Sequence, residues 1–342
     1  MYQDYNQNQY YAPTWHDARK TFSRVGIALT AFFIAAYAVM LIAEIAIMLI
    51  FPNALEILED PIALIVLNAV SMYVIAFPIY FIIIARLEKR GRMRLPMRLG
   101  EFLGFFAVAQ FFMLLGSWIG EFINSTLGEY LGIDPSNSTI DLITSCPLPV
   151  IFISAVVIGP LFEELIFRKL MIDRLSIYGD KIAIIVSAVA FGLFHGNLFQ
   201  FFYSMLLGLL LGYMYVKTGK LRYPYLMHAV INFFGSIVPL TVQPYVDELI
   251  AMEEAAAIGE AIDTARQAVC EAVAYGYSVF QFLLMLVGVG VLLCNIRNVR
   301  IDPYKRAEIP RGARFVTVVF NVGAILFLLL SIAQFAMNLY LV

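Results

Sequence analysis

Long apolar runs separated by short polar connections dominate this chain. Runs near the ~17 to 25 residues that a helix needs to cross a bilayer fall at about 25–51, 61–85, 101–123, 147–170, 182–196, 198–216, 224–240, 276–296 and 314–341. The pattern predicts an all-α fold, a polytopic transmembrane helical bundle of eight or nine spans. The runs at 182–196 and 224–240 are short enough to be tilted, re-entrant or partly buried. Outside these runs, 246–273 (VDELIAMEEAAAIGEAIDTARQAVCEAV) combines Ala and Glu with apolar residues near helical spacing, which predicts an acidic amphipathic helix on the exterior face. The chain divides into a polar cytoplasmic tail (1–24), N-terminal transmembrane helices (25–123), a transmembrane core (147–240), an exterior acidic helical loop (241–275) and C-terminal transmembrane helices (276–342).

Composition sharpens this reading. With 61% hydrophobic and 14% charged residues among 342, the chain cannot be partitioned into a soluble core and surface; the lipid bilayer is its solvent, and no nucleic-acid partner is expected. The opening MYQDYNQNQYYAPTW lacks the charged n-region and short apolar stretch of a cleavable signal. Cys146, Cys270 and Cys294 have neither metal-like nor redox-like spacing. Charge placement gives an orientation. Of the 23 Lys and Arg, all but Arg266 gather at 19–24, 86–98, 168–181, 217–222 and 297–314, while the other connections carry Glu56, Glu59 and Asp60, then Glu129, Asp134 and Asp141, then the acids from Asp247 to Glu271. The positive-inside rule places the N-terminus and the basic loops in the cytoplasm.

Ionisable side chains within a bilayer cost ~2.5 to 3.5 kcal/mol each, so those inside the core segment call for a partner or a task. In VVIGPLFEELIFRKL, Glu163 and Glu164 are consecutive and point about 100° apart on a helix, so they serve different roles. Arg168 lies one turn beyond Glu164, and the two can pair. Glu163 is left to face elsewhere. In AFGLFHGN, Phe191 and His195 are four apart; in PYLMHAVINFFG, His228 and Asn232 are four apart. Alternating spans put Glu163 and His228 in the cytoplasmic half and His195 deeper, a mismatch in depth that tilted helices would have to close.

These residue types suit hydrolysis without a covalent intermediate. Glu163 can take a proton from water, His195 can orient that water or donate to the leaving amine, and His228 with Asn232 can stabilise a tetrahedral oxyanion. No Ser or Cys shares a motif with the histidines, which weakens a nucleophilic triad. No cofactor is needed; alternatively Glu163, His195 and His228 could ligate Zn²⁺, although HExxH is absent. A transporter would also carry buried Glu, His and Arg, but no repeat of the Glu163–Arg168 region is found. A non-catalytic membrane immunity or binding protein is the third alternative. Gly192, Gly196, Gly208 and Gly212 are expected to let helices approach closely.

At these residues the chain resembles the CPBP family of intramembrane proteases, which includes type II CAAX prenyl endopeptidases and the Abi-like bacteriocin self-immunity proteins. Its EExxxR motif stands here as Glu163, Glu164 and Arg168, its FxxxH as Phe191 and His195, its HxxxN as His228 and Asn232, each once and in order. The resemblance implies an all-helical membrane protease in which Glu163 and His195 activate water and His228 and Asn232 form the oxyanion hole, with Glu164, Arg168 and Phe191 in support. The partner expected of the chain is a membrane-anchored peptide or protein substrate, and the expected location is a prokaryotic plasma membrane. The resemblance leaves the metal question, the substrate and the oligomeric state open.

Overall fold

The computed structural model of the chain describes residues 14–132, 144–303 and 305–340; most of the polar tail, and Asp134 and Asp141 of the second acidic connection, lie outside the described residues. Every described element is helical. In chain order the long elements are α1 (Trp15–Ile50), α2 (Pro61–Ala85), α3 (Leu99–Leu131), α4 (Leu148–Tyr178), α5 (Asp180–Phe194), α6 (Leu198–Thr218), α7 (Arg222–Ala257), α8 (Thr264–Asn298) and α9 (Val322–Leu339). All but α5 are long and apolar enough to cross a membrane. With 15 residues, α5 reaches only ~22 Å, short of the ~30 Å hydrocarbon core. Among the described residues the protein is a polytopic membrane bundle with eight helices long enough to span and the shorter α5 packed among them.

Local chemistry sets the ends. Asp60 caps α2, accepting from the backbone N–H of Ile62 at 2.7 Å, with Pro61 in the first turn. Asn197 caps α6 by accepting from Gln200 N–H at 2.8 Å, and Gly219 ends it in the left-handed region at φ 63°. Gly179, at φ 115°, allows the reversal between α4 and α5.

Several helices run past the apolar runs, α1 starting at Trp15 and α3 ending at Leu131, and the last run is broken between Val319 and Val322; two further differences matter most. The first is the lower end of α4, which runs to Tyr178 rather than stopping near 170. The second is the acidic stretch 246–273, which is helical but not one helix. It comprises the end of α7 and the start of α8, separated by a break containing Gly259 at φ 83° and restarted by Asp263, which accepts from Ala265 and Arg266 N–H. At 36 and 35 residues, α7 and α8 outrun the hydrocarbon core and project together as a hairpin. Arg266 joins the two arms by pairing with Glu248.

Two apolar clusters fill the bundle. One joins Phe32 and Phe33 of α1, Tyr80 and Ile84 of α2, Phe167 and Met171 of α4, Phe191 and Phe194 of α5 and Phe327 of α9. The other joins Val108 of α3, Leu207 and Leu211 of α6, and Met227 and Ile231 of α7. Backbones touch where side chains are missing. A Cβ on Gly208 would lie 2.9 Å from Ala188 Cα, and one on Gly192 2.8 Å from Phe201 O, so both glycines bring α5 against α6, as expected of small residues in membrane helices. The basic end is tied by more than orientation. Arg92, almost fully buried, pairs with Asp173 at 3.2 Å and Asp180 at 2.9 Å, and Arg90 with Asp180 at 3.2 Å.

Candidate active site

The α4–α5 hairpin resolves the mismatch in depth. Glu163 lies as many residues before the Gly179 turn as His195 lies after it, so antiparallel packing brings them to one level. Phe167 and Phe191 obey the same register, and their rings meet edge to face at 5.1 Å. The extra length of α4 produces this alignment, which a helix ending near 170 would have destroyed.

Glu163, Phe191, His195, His228 and Asn232 all line one cavity of about 390 Å³ inside the bundle. Glu164 and Arg168 lie behind it, both fully buried, with Arg168 Nε 3.1 Å from Glu164 Oε2. That contact is within ion-pair range but is too poorly aligned for a hydrogen bond, and the guanidinium makes no other within the protein among the described residues. It lies over the Phe191 ring instead, 4.4 Å from the centroid. Phe191 is thus the hub of the site: its opposite contacts are the His195 ring at 4.8 Å and the His228 ring at 5.6 Å, each nearly perpendicular.

Ring orientations follow from what each nitrogen meets. His195 Nδ1 is 2.8 Å from the Phe191 carbonyl oxygen; only a protonated Nδ1 can donate there, which leaves Nε2 as an acceptor in the neutral ring. His228 is held between the two glutamates, with Nδ1 3.0 Å from Glu164 Oε1 and Nε2 3.6 Å from Glu163 Oε2. Glu164 therefore serves Arg168 and His228 at once, a double duty that helical spacing alone did not reveal. Asn232 donates from Nδ2 to the Ala155 carbonyl at 2.8 Å, which commits one of its two amide protons to the neighbouring helix.

Wide, π-helical turns contribute to the cavity wall at Val70–Ala76 in α2, Phe152–Ile158 in α4 and Phe233–Ile237 in α7, and a further one, Leu165–Ile172 in α4, carries Arg168 behind it. Such turns re-aim side chains and backbone groups, and they recur at functional sites. Tyr73 and Tyr203 also line the cavity, near enough to feel the charge of Glu163. Neither stood out in a chain with 19 tyrosines, since no motif or spacing links either one to the histidines. Among the described residues no three His, Cys, Asp or Glu side chains are gathered to hold one metal ion.

Comparison with known proteins bears on the same segment of the chain. A family model described as Type II CAAX prenyl endopeptidase Rce1-like matches residues 145–234, a span that holds all seven motif residues. Over this segment the chain is similar to that family. The Rce1-like segment comprises α4 to α6 and the first part of α7, the helices that carry the motifs. A Bacillus subtilis (strain 168) protein, YdiL, provisionally named a membrane peptidase, is 29% identical over 140 residues, 39% of this chain. The chain spans about half, 55%, of that relative's length. No solved structure matches it.

Proposed function

We propose that the protein is an intramembrane endopeptidase that hydrolyses peptide bonds of membrane-associated or lipidated substrates, using water activated by Glu163 and His195. The observation that carries this reading is the convergence of Glu163, His195 and His228, from three helices, on one cavity within an apolar bundle. The Rce1-like match and the name of the Bacillus relative support the same class of reaction.

In the proposed reaction a water donates one hydrogen bond to Glu163 and the other to His195 Nε2. As its oxygen attacks the substrate carbonyl carbon, Glu163 takes a proton and the carbonyl π pair moves to oxygen. His228, held through Nδ1 by Glu164 and donating from Nε2 as an imidazolium, and the remaining N–H of Asn232 stabilise that oxyanion. Collapse re-forms the carbonyl, breaks the C–N bond and passes the proton from Glu163 to the leaving amine. Neither an acyl-enzyme nor a cofactor is required. The proposed setting is a prokaryotic plasma membrane with the N-terminus in the cytoplasm, so that the basic end of the bundle faces inward.

The test is cleavage of a panel of membrane-anchored and lipidated peptides by purified, detergent-solubilised protein, comparing wild type with Glu163→Ala, with and without a chelator. Cleavage that survives chelation and vanishes in the variant is expected. Loss on chelation would move the chemistry to a zinc-dependent form of the protease, and full cleavage by Glu163→Ala would overturn the reading.

A further inference from the structure

Tyr73 comes from α2, outside the Rce1-like segment, yet its hydroxyl enters the site. Its ring stacks on Phe162 at 4.4 Å and 15°, and Phe162 immediately precedes Glu163, so the ring is fixed on the helix that carries the carboxylate. Gly159 creates the meeting point. Where a Cβ on Gly159 would stand, the Ser154 carbonyl oxygen is 3.1 Å, Tyr73 Oη 3.6 Å and Glu163 Oε1 3.8 Å away. The two side-chain oxygens therefore converge beside that carbonyl on the gap left by the absent side chain. No hydrogen bond to the protein holds the Tyr73 hydroxyl among the described residues, and the residue is half-buried with its face on the cavity. A phenol so placed needs an acceptor.

Three donors nearby are committed within the protein, and the Tyr203 hydroxyl also faces the cavity, but it is the Tyr73 hydroxyl that stands with Glu163 at the Gly159 gap. His195 Nδ1 is held by the Phe191 carbonyl, His228 Nδ1 by Glu164 and one Asn232 proton by the Ala155 carbonyl. A water between Glu163 and His195 Nε2 spends both its protons on those two acceptors, and it needs a donor to fix its oxygen.

We propose that Tyr73 is a positioning residue whose hydroxyl donates to the water that Glu163 deprotonates, holding it in the gap over Gly159. The water then accepts one hydrogen bond, donates two and keeps one lone pair for attack. Tyr73 gives up no proton and is unchanged by the reaction. This rests on the endopeptidase reading above.

Tyr73→Phe removes only the oxygen and keeps the stack on Phe162, which separates the hydroxyl from packing. On the same peptide panel its kcat should fall on the order of 10- to 100-fold with KM unchanged, the scale of a mispositioned reactant. Gly159→Ala should fall similarly, because its methyl fills the gap, while Tyr73→Phe melts as wild type does. A map of the detergent-solubilised protein that resolves ordered water should show one between Tyr73 and Glu163, lost in Tyr73→Phe. Wild-type kcat in Tyr73→Phe, or a gap without water, would overturn the proposal. Glu163→Gln run alongside separates the two claims: if it is inactive while Tyr73→Phe is fully active, only the role of Tyr73 fails, and if it cleaves normally the endopeptidase reading fails. The water map decides the role of Tyr73 even where no panel peptide is cut.

Discussion

At the scale of residues, Glu164 shows how two adjacent glutamates come to differ. Glu163 keeps partial access to the cavity, with 17% of its side chain exposed, whereas Glu164 has none and sits between Arg168 and His228. Its replacement by Gln leaves the Arg168 charge buried and uncompensated, a change that costs about 3 to 5 kcal/mol in comparable buried pairs. Glu164→Gln is therefore expected to melt well below wild type. Glu164→Gln with Arg168→Gln should lose much less than the two single losses added together, a coupling that a double-mutant cycle on thermal unfolding in detergent measures. The pairing of Glu164 with Arg168 was legible in the sequence because four-residue spacing is a local rule. The bond from Glu164 to His228 was not, since it joins α4 to α7 and depends on how those helices pack.

Among the elements, the α5–α6 pair carries the most exposed assumption of the bundle, which is that backbones can meet where glycines stand. Adding a side chain at Gly208 should overpack the contact with Ala188, for which ~1 to 3 kcal/mol is typical. Gly208→Leu should therefore melt lower than wild type and lose activity as well, because α5 carries His195. Gly290, in contrast, has nothing within 4 Å of its would-be Cβ, and Gly290→Ala should melt at or slightly above the wild-type temperature. The number and order of the helices were readable from apolar runs and charged connections, because the hydrocarbon thickness fixes the length scale. Their ends were less so. Lys169, Arg174 and Lys181 mark the basic end without saying where α4 stops, and Arg174 in fact donates from inside the helix to the carbonyls of Ile84 and Leu170. Because the depth of His195 relative to Glu163 depends on that end, the register that brings the candidate residues to one cavity was hidden in the sequence.

For the whole molecule, the separation of basic from acidic connections is the property that sets its direction in the membrane. The basic end is also a structural lock, since Arg90 and Arg92 bind the Asp173–Asp180 turn; charge counting explained the sign of that segment but not its burial. In a cysteine-free background, an impermeant maleimide applied to intact spheroplasts is expected to label Glu129→Cys and spare Gly91→Cys, with both labelled after lysis. The reverse pattern would invert the proposed orientation. The same asymmetry places the hairpin of α7 and α8, with its acids, on the side opposite the basic lock.

The central claim is that Glu163 performs chemistry while Glu164 holds the structure, and it is tested most directly by measuring peptide cleavage and thermal stability on the same preparations of wild type, Glu163→Gln and Glu164→Gln. The account predicts that Glu163→Gln loses cleavage yet melts as wild type does, and that Glu164→Gln melts markedly lower. Equal loss of stability in both variants, or normal cleavage by Glu163→Gln, would contradict it.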